Sequence, residues 1–192
     1  MTDSVEGRRE VHKRSTREAL ADAALRRFAA DGYDETSVEA IAADAGVSAR
    51  TFFRYFATKD EVLDMGREER QAELRTRMGA LSSSGLDAPS VVREAVIGLA
   101  RGFESDRERV QLRQRAAASS PVLRGRLYDT FASWEHVVAG ELGGDAAART
   151  MAAVGFAVFR SATATWLDEG GSLPDHVERG FALLGRQHML TP

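Results

Sequence analysis

An all-α fold is what this sequence predicts, and three observations carry the prediction. Apolar residues recur at three- and four-residue spacing along most of the chain, the period of a helix buried on one side. Alternating β-branched runs are scarce, and only 4 of 192 residues are proline. Three Ser/Thr-x-x-Glu patterns stand just ahead of apolar stripes, at Ser15–Glu18, Thr36–Glu39 and Thr58–Glu61. The first turn of a helix has open backbone amides, and such patterns supply their acceptors.

Residues 1–13 are polar and charged and read as a flexible arm. The first helix opens at Ser15, buries Leu20, Ala24, Leu25 and Phe28, and ends at Asp31-Gly32. The second opens at Thr36 and carries Val38, Ile41, Ala42 and Ala45 on one face. Gly46 follows where a helix end favours positive φ. Ser48 offers an oxygen to the amides of a third helix. There Phe52 and Phe56 share an inward face, while Arg50 and Arg54 share an outward one. The Thr58 pattern opens a fourth helix, a connector with Val62, Leu63, Met65, Leu74 and Met78. Loop composition at Leu81–Leu86 breaks it. Pro89 marks the first turn of a fifth helix with Val92, Ala95, Val96, Leu99 and Phe103 inward. Asp106 caps a sixth, reaching Ala118. Ser120-Pro121 opens a seventh, with Leu123, Leu127, Phe131, Trp134 and Val138 inward until Gly143-Gly144. Asp145 caps the most apolar helix, from Ala146 to Asp168, broken by Gly170-Gly171. Ser172–Asp175 opens a ninth helix through Val177, Phe181 and Leu184 to Gln187.

Composition narrows the function classes. A hydrophobic content of 43% suits a folded protein with one or two cores. Cysteine is absent, which excludes disulfides, thiolate catalysis and Cys-ligated metals. His12, His136, His176 and His188 are scattered without a second ligand at metal spacing, and no glycine-rich phosphate loop is present. No metal and no cofactor is expected, and an all-α enzyme is the reading that this inventory supports least. No apolar run approaches the ~20 residues that span a bilayer, so no membrane partner is expected. Without an apolar leader, the expected place is the cytoplasm. Net charge is −3, and residues 1–60 hold 10 Lys+Arg against 11 Asp+Glu. The placement of charge says more than its sum. Arg8, Arg9, Lys13, Arg14 and Arg17 cluster near the N-terminus, and Arg50, Arg54 and Lys59 lie in or just after the second helix pair. This reads as a locally basic face on a mildly acidic body. The N-terminal cluster is either a solvated tail or a DNA-contacting arm.

One set of residues stands at a distinctive spacing. It comprises Phe28, Gly32-Tyr33, Thr36, Val38, Ile41-Ala42, Ala45-Gly46-Val47-Ser48, Thr51-Phe52-Phe53-Arg54-Tyr55-Phe56 and Lys59. Residues 14–74 thereby resemble the DNA-binding domain of the TetR family of bacterial transcriptional regulators. The resemblance implies a nine-helix architecture with a three-helix reader whose helix-turn-helix motif covers 37–56. It implies a ligand-binding and dimerisation domain over 75–192. The implied DNA contacts are Thr36, Ser37, Ser48, Ala49, Arg50, Thr51, Phe53, Arg54, Tyr55 and Lys59. Thr36 and Ser37 would meet phosphate at the start of the second helix. Tyr55 and Lys59 would meet phosphates too, Lys59 at the start of the fourth helix. Arg50 or Arg54 is the candidate for a bidentate guanine contact. Tyr55 has a second reading, as a cap on the core with a wet hydroxyl. Position 53 departs from the family, which commonly has Tyr there with its hydroxyl on the DNA backbone. Phe53 lacks that donor and would pack on a sugar or a thymine methyl.

Beyond residue 75 the resemblance implies two jobs. Phe103, Leu112, Phe131, Trp134, Phe156, Phe159 and Arg160 are candidates to line an effector pocket, although aromatics at helical spacing also suit plain core. Arg113, Arg115 and His136 share with Arg160 the choice between anchoring an anionic group and facing water. Val154, Val158, Trp166, Phe181 and Leu184, on the last two helices, are candidates for a dimer interface. The Thr51-Phe52-Phe53-Arg54-Tyr55-Phe56 variant and the region of the sixth and seventh helices are similar to a TetR subgroup that binds acyl-CoA-like ligands. The expected partners are a palindromic double-stranded DNA operator, a second copy of the chain, and a small apolar or amphipathic effector. The expected function is a homodimeric repressor at the bacterial nucleoid, released by that effector. An activator on the same fold and a module that senses nothing are the alternatives.

Overall fold

The computed structural model describes residues 3–186, with side chains from 10 to 185. Among the described residues there are nine α-helices, one 3-10 helix and no strand. The helices are α1 (Asp3–Ala30), α2 (Val38–Asp44), α3 (Ala49–Tyr55), α4 (Arg67–Ser82), α5 (Ala88–Glu104), α6 (Arg107–Ser119), α7 (Pro121–Glu141), α8 (Ala146–Glu169) and α9 (Leu173–Arg186), with the 3-10 helix at Lys59–Asp64. The chain divides into two compact units. One holds residues 1–65 with 108–128, the other 66–107 with 129–192.

The first unit is built on a core that α1 crosses. Leu20, Ala24, Leu25 and Phe28 of α1, Ile41 and Ala42 of α2, Phe52 and Phe56 around α3, and Val62 and Leu63 of the 3-10 helix are all buried together. Ala116 and Leu123 join them, which is why residues 108–128 belong to this unit. The sequence alone suggests a boundary at 74/75, with that stretch in the second domain. That boundary falls inside an unbroken α4.

Two helix starts differ from expectation. Helical backbone reaches back to Asp3, so Ser15 stands inside α1 and residues 3–13, expected as a flexible arm, are helical. The stretch contains no proline and is rich in charged residues with good helix propensity. The fourth helix does not start at Thr58. Residues Lys59–Asp64 form a tighter 3-10 turn, and Gly66 at φ +81° then redirects the chain before α4 begins at Arg67. Thr58 makes no side-chain bond to a backbone amide. Half of the expected box survives, because Ala57 N–H donates to Glu61 Oε2 at 2.6 Å. The expected end of the last helix at Gln187, and His188, lie outside the described residues, as do the side chains of Arg8 and Arg9.

The second unit packs α5, α8 and α9 around apolar side chains. Asp87 and Asp145 cap α5 and α8, accepting from Ser90 N–H at 3.0 Å and Ala148 N–H at 2.7 Å. The hydroxyl of Ser90 first, and its amide next, hold the Asp87 carboxyl below its ordinary range. At the far end of α8, Arg107 covers the Trp166 ring at 4.9 Å and donates to the carbonyls of Trp166 and Leu167. A cation thus meets the negative end of the helix.

Candidate nucleic-acid interface

The reader is set by its caps. Ser37 has extended backbone (φ −89°, ψ 156°) and its Oγ accepts the Ala40 N–H at 3.1 Å, opening α2. The cap is therefore Ser37, one residue later than the Thr36 that the sequence pattern suggests. At the other end, Val47 N–H donates to Ala42 O at 2.9 Å and Gly46 N–H to Ala43 O at 3.0 Å. This pair of bonds closes α2 only if residue 46 is left-handed, and Gly46 has φ +69°. Ser48 then caps α3, accepting Thr51 N–H at 3.2 Å, with the two hydroxyls 3.1 Å apart.

Ion pairs fix the reader to its supports. Arg27 of α1 grips Asp44 of α2 with two bonds of 2.6 and 2.8 Å. The hydrogen bonds outweigh desolvation and hold the Asp44 carboxyl below its ordinary range and the Arg27 guanidinium above its own. A second group sits deeper. Asp60 is 8% exposed and receives Arg126 at 2.7 and 2.6 Å, and the Tyr33 hydroxyl donates to it at 3.2 Å. Arg126 also donates to Asp64 at 2.8 Å. Burial pushes the Asp60 carboxyl up, but the hydrogen bonds from Thr58 and Arg126 prevail and hold it below the ordinary range. The Tyr33 phenol is raised, by burial first and by the Asp60 charge next. Arg113 donates to the carbonyls of Leu63 and Met65, the latter at 2.8 Å, and Arg109 pairs with Asp22 at 2.9 Å. None of these supports is legible in the sequence. Arg126 is 66 residues from Asp60, and no local pattern joins them.

Two expected DNA contacts are engaged by bonds within the fold. Thr36 is 3% exposed, and its hydroxyl donates to Gly32 O at 2.7 Å. Its one proton is thus engaged inside the fold. Lys59 Nζ donates to Tyr33 O at 2.6 Å and Thr36 O at 2.8 Å, and lies 4.1 Å from the Tyr33 ring centroid. Lys59 therefore closes the loop between α1 and α2, and it does not start an α-helix. The remaining candidates lie on or beside the outer face. Ser37, Ser48, Arg50, Phe53 and Arg54 are exposed, and Ala49, Thr51 and Tyr55 are half-buried. Phe52 and Phe56 occupy the opposite side, buried with ring centroids 5.4 Å apart. The Arg54 guanidinium lies 5.1 Å from the Tyr55 ring centroid.

The candidate sites of the second unit change more. Phe103, Phe131, Trp134, Phe156 and Phe159 contact one another edge to face at 5.1–6.3 Å, and none exceeds 6% exposure. They fill a core rather than line an open pocket. Leu112 is not among them; it packs on the core of the first unit. Arg160 is half-buried on α8. Of the interface candidates, Trp166 is withdrawn at 1% exposure, its Nε1 donating to Gly171 O at 3.1 Å. Val158 is half-buried and faces Gly180, where α8 and α9 approach closely. Val154 and Leu184 are each 41% exposed, and with Phe181, Met151, Val92 and Pro89 they line a groove of about 310 Å³.

Two short helices joined by a capped turn, with arginines on the outer side, define a helix-turn-helix DNA-binding protein. Known proteins agree. Residues 20–64 match the model for bacterial regulatory proteins of the tetR family, and residues 86–189 match the MftR C-terminal domain. The chain is 30% identical over 174 residues to the protein named as mycofactocin biosynthesis transcriptional regulator MftR of Mycobacterium tuberculosis, covering 86% of this chain and 87% of that one. Thermus thermophilus FadR, solved with lauroyl-CoA, has the same fold at 24% identity and a TM-score of 0.60, over 92% of this chain and 96% of that one. Bacillus subtilis FadR, solved with stearoyl-CoA, matches at 20% identity and a TM-score of 0.63, over 87% and 96%. This chain belongs to the TetR family of bacterial transcriptional regulators. Among its described residues, no helix is long and apolar enough to cross a membrane.

Proposed function

We propose that the chain is a homodimeric repressor that leaves its operator when an amphipathic effector of the acyl-CoA kind binds the second unit. The observation that carries the DNA half is the exposed outer face of α3, where Arg50 and Arg54 stand on a rigidly capped helix. Arg50 and Arg54 reach base edges. Ser37, whose hydroxyl proton is not used in capping α2, and Tyr55 meet phosphates, with Ala49, Ser48 and Thr51 at close backbone approach. Arg50→Ala is expected to weaken operator binding by about 1–3 kcal/mol and to relax preference at one base pair. Titrations against single-base-pair variants check this. An equal loss on every variant would assign Arg50 to phosphate instead.

Dimerisation rests on the open apolar face of α8 and α9. Leu183 is 64% exposed beside Leu184, and Val154 faces the same groove. Apolar surface of this kind is costly unless covered, and a self-complementary patch is the usual cover. Val154→Asp should shift the chain to monomer in sedimentation velocity and lower operator affinity. A dimer of unchanged strength would place the interface elsewhere.

The effector half is supported by the FadR complexes with lauroyl- and stearoyl-CoA. The closed aromatic cluster means that an acyl chain would have to part its rings, selecting a minor state of the unit. Release then follows if that state presents the two readers at the wrong spacing. Trp134 sits in the cluster, so its fluorescence should respond to lauroyl-CoA. The operator affinity should fall in the same titration.

A further inference from the structure

Phe53 is the large hydrophobic residue that the reader leaves in water, at 56% exposure. It shares the outer face of α3 with Arg50, three residues before it, and Arg54 directly follows. Its neighbour one turn before it, Ala49, is a methyl group. The ring is not a loose appendage. It meets the Phe52 ring edge to face at 5.7 Å and 85°, and Phe52 is fully buried. The reader thus presents an oriented apolar surface beside Arg50, while the Arg54 guanidinium lies over the Tyr55 ring.

A phenyl ring has no ordinary hydrogen bond to give a base or a phosphate. On the floor of the major groove, adenine, guanine and cytosine show donors and acceptors, whereas thymine adds a C5-methyl group. We infer that Phe53 is a specificity-determining residue that reads thymine through this methyl. The inference rests on the DNA-reading assignment above and extends it to a base. Arg50 and Arg54 set the register from the same helix, and the ring discriminates by apolar contact alone.

Deoxyuridine in place of thymine removes the methyl and leaves the hydrogen-bonding edge intact, which isolates the contact. Each thymine of a selected operator half-site is replaced in turn, and binding is measured with the wild type, Phe53→Ala and Phe53→Leu. At one thymine per half-site, wild-type affinity should fall about fourfold, the worth of one buried methyl. Phe53→Ala should bind thymine and deoxyuridine there equally, and Phe53→Leu should keep part of the preference. Thermal midpoints should fall only slightly in both variants, because the side chain is mostly exposed and loses only its edge contact with Phe52. The inference is overturned if the wild type ignores the methyl at every thymine, which would leave the ring against sugar. It is overturned equally if Phe53→Ala keeps the full preference. A wild type that selects no duplex at all would remove the DNA-reading assignment itself, a result separable from either of these.

Discussion

Phe52→Ala is expected to destabilise the first unit by about 3–5 kcal/mol, the cost of deleting a buried phenyl ring and leaving a cavity. Phe52 is fully buried and contacts Phe53 and Phe56 ring to ring. It is the wedge that joins α3 to Leu20, Leu25, Phe28 and Ile41. A unit of this size has little stability to lose. Its unfolding transition should move to much lower urea, and operator binding should disappear with it. The second unit keeps its own core, so a transition from it should persist near its original midpoint. An unchanged first transition would mean that α3 is not held by this wedge.

Arg126→Ala should cost about 2–3 kcal/mol at neutral pH. The change removes charge-assisted hydrogen bonds and leaves Asp60 buried without its guanidinium. The effect has a pH signature. In the wild type the Asp60 carboxyl is held below its unfolded range, so its stabilisation is present above that range and is lost as pH falls through the lowered value. Without Arg126, burial is opposed by fewer hydrogen bonds and no guanidinium charge, and the carboxyl rises from its wild-type position. The variant should therefore begin to lose its deficit relative to wild type as pH falls through its own raised value, and the deficit should close only below the ordinary carboxylate range, where the wild-type Asp60 is protonated too. Asp60→Asn in the Arg126→Ala background should recover part of the loss, since it removes the stranded charge. Urea midpoints across pH for the four proteins of this cycle measure the coupling. A deficit that does not vary with pH would refute the role given to Asp60.

What the sequence disclosed follows from the range of the interactions involved. The helical period, the Ser48 cap and the turn at Gly46 are local, and each is written within a few residues. So is the division between Phe52 and Phe56 on one side and Arg50 and Arg54 on the other. The limits lie where a side chain answers a distant partner. Thr36 and Lys59 look like phosphate ligands by position, yet the Gly32 carbonyl takes the Thr36 proton, and the carbonyls of Tyr33 and Thr36 take two of the three on Lys59. Trp166 looks like interface by its size and helix, yet Arg107 and Gly171 enclose it. Aromatic spacing alone does not tell a filled core from a lined cavity, and here the five rings meet one another. The tight turn at Lys59–Asp64 was hidden because its Thr-x-x-Glu pattern is that of an ordinary helix start, while the break comes from Gly66 beyond it.

The central claim is that two capped readers, one on each copy, present α3 to successive major grooves. Selection of bound duplexes from random DNA by the purified full chain tests it most directly. The account predicts an inverted repeat whose half-sites are about one helical turn, or a whole multiple of it, apart. Recovered duplexes with no shared sequence, or with a single unrepeated site, would contradict it.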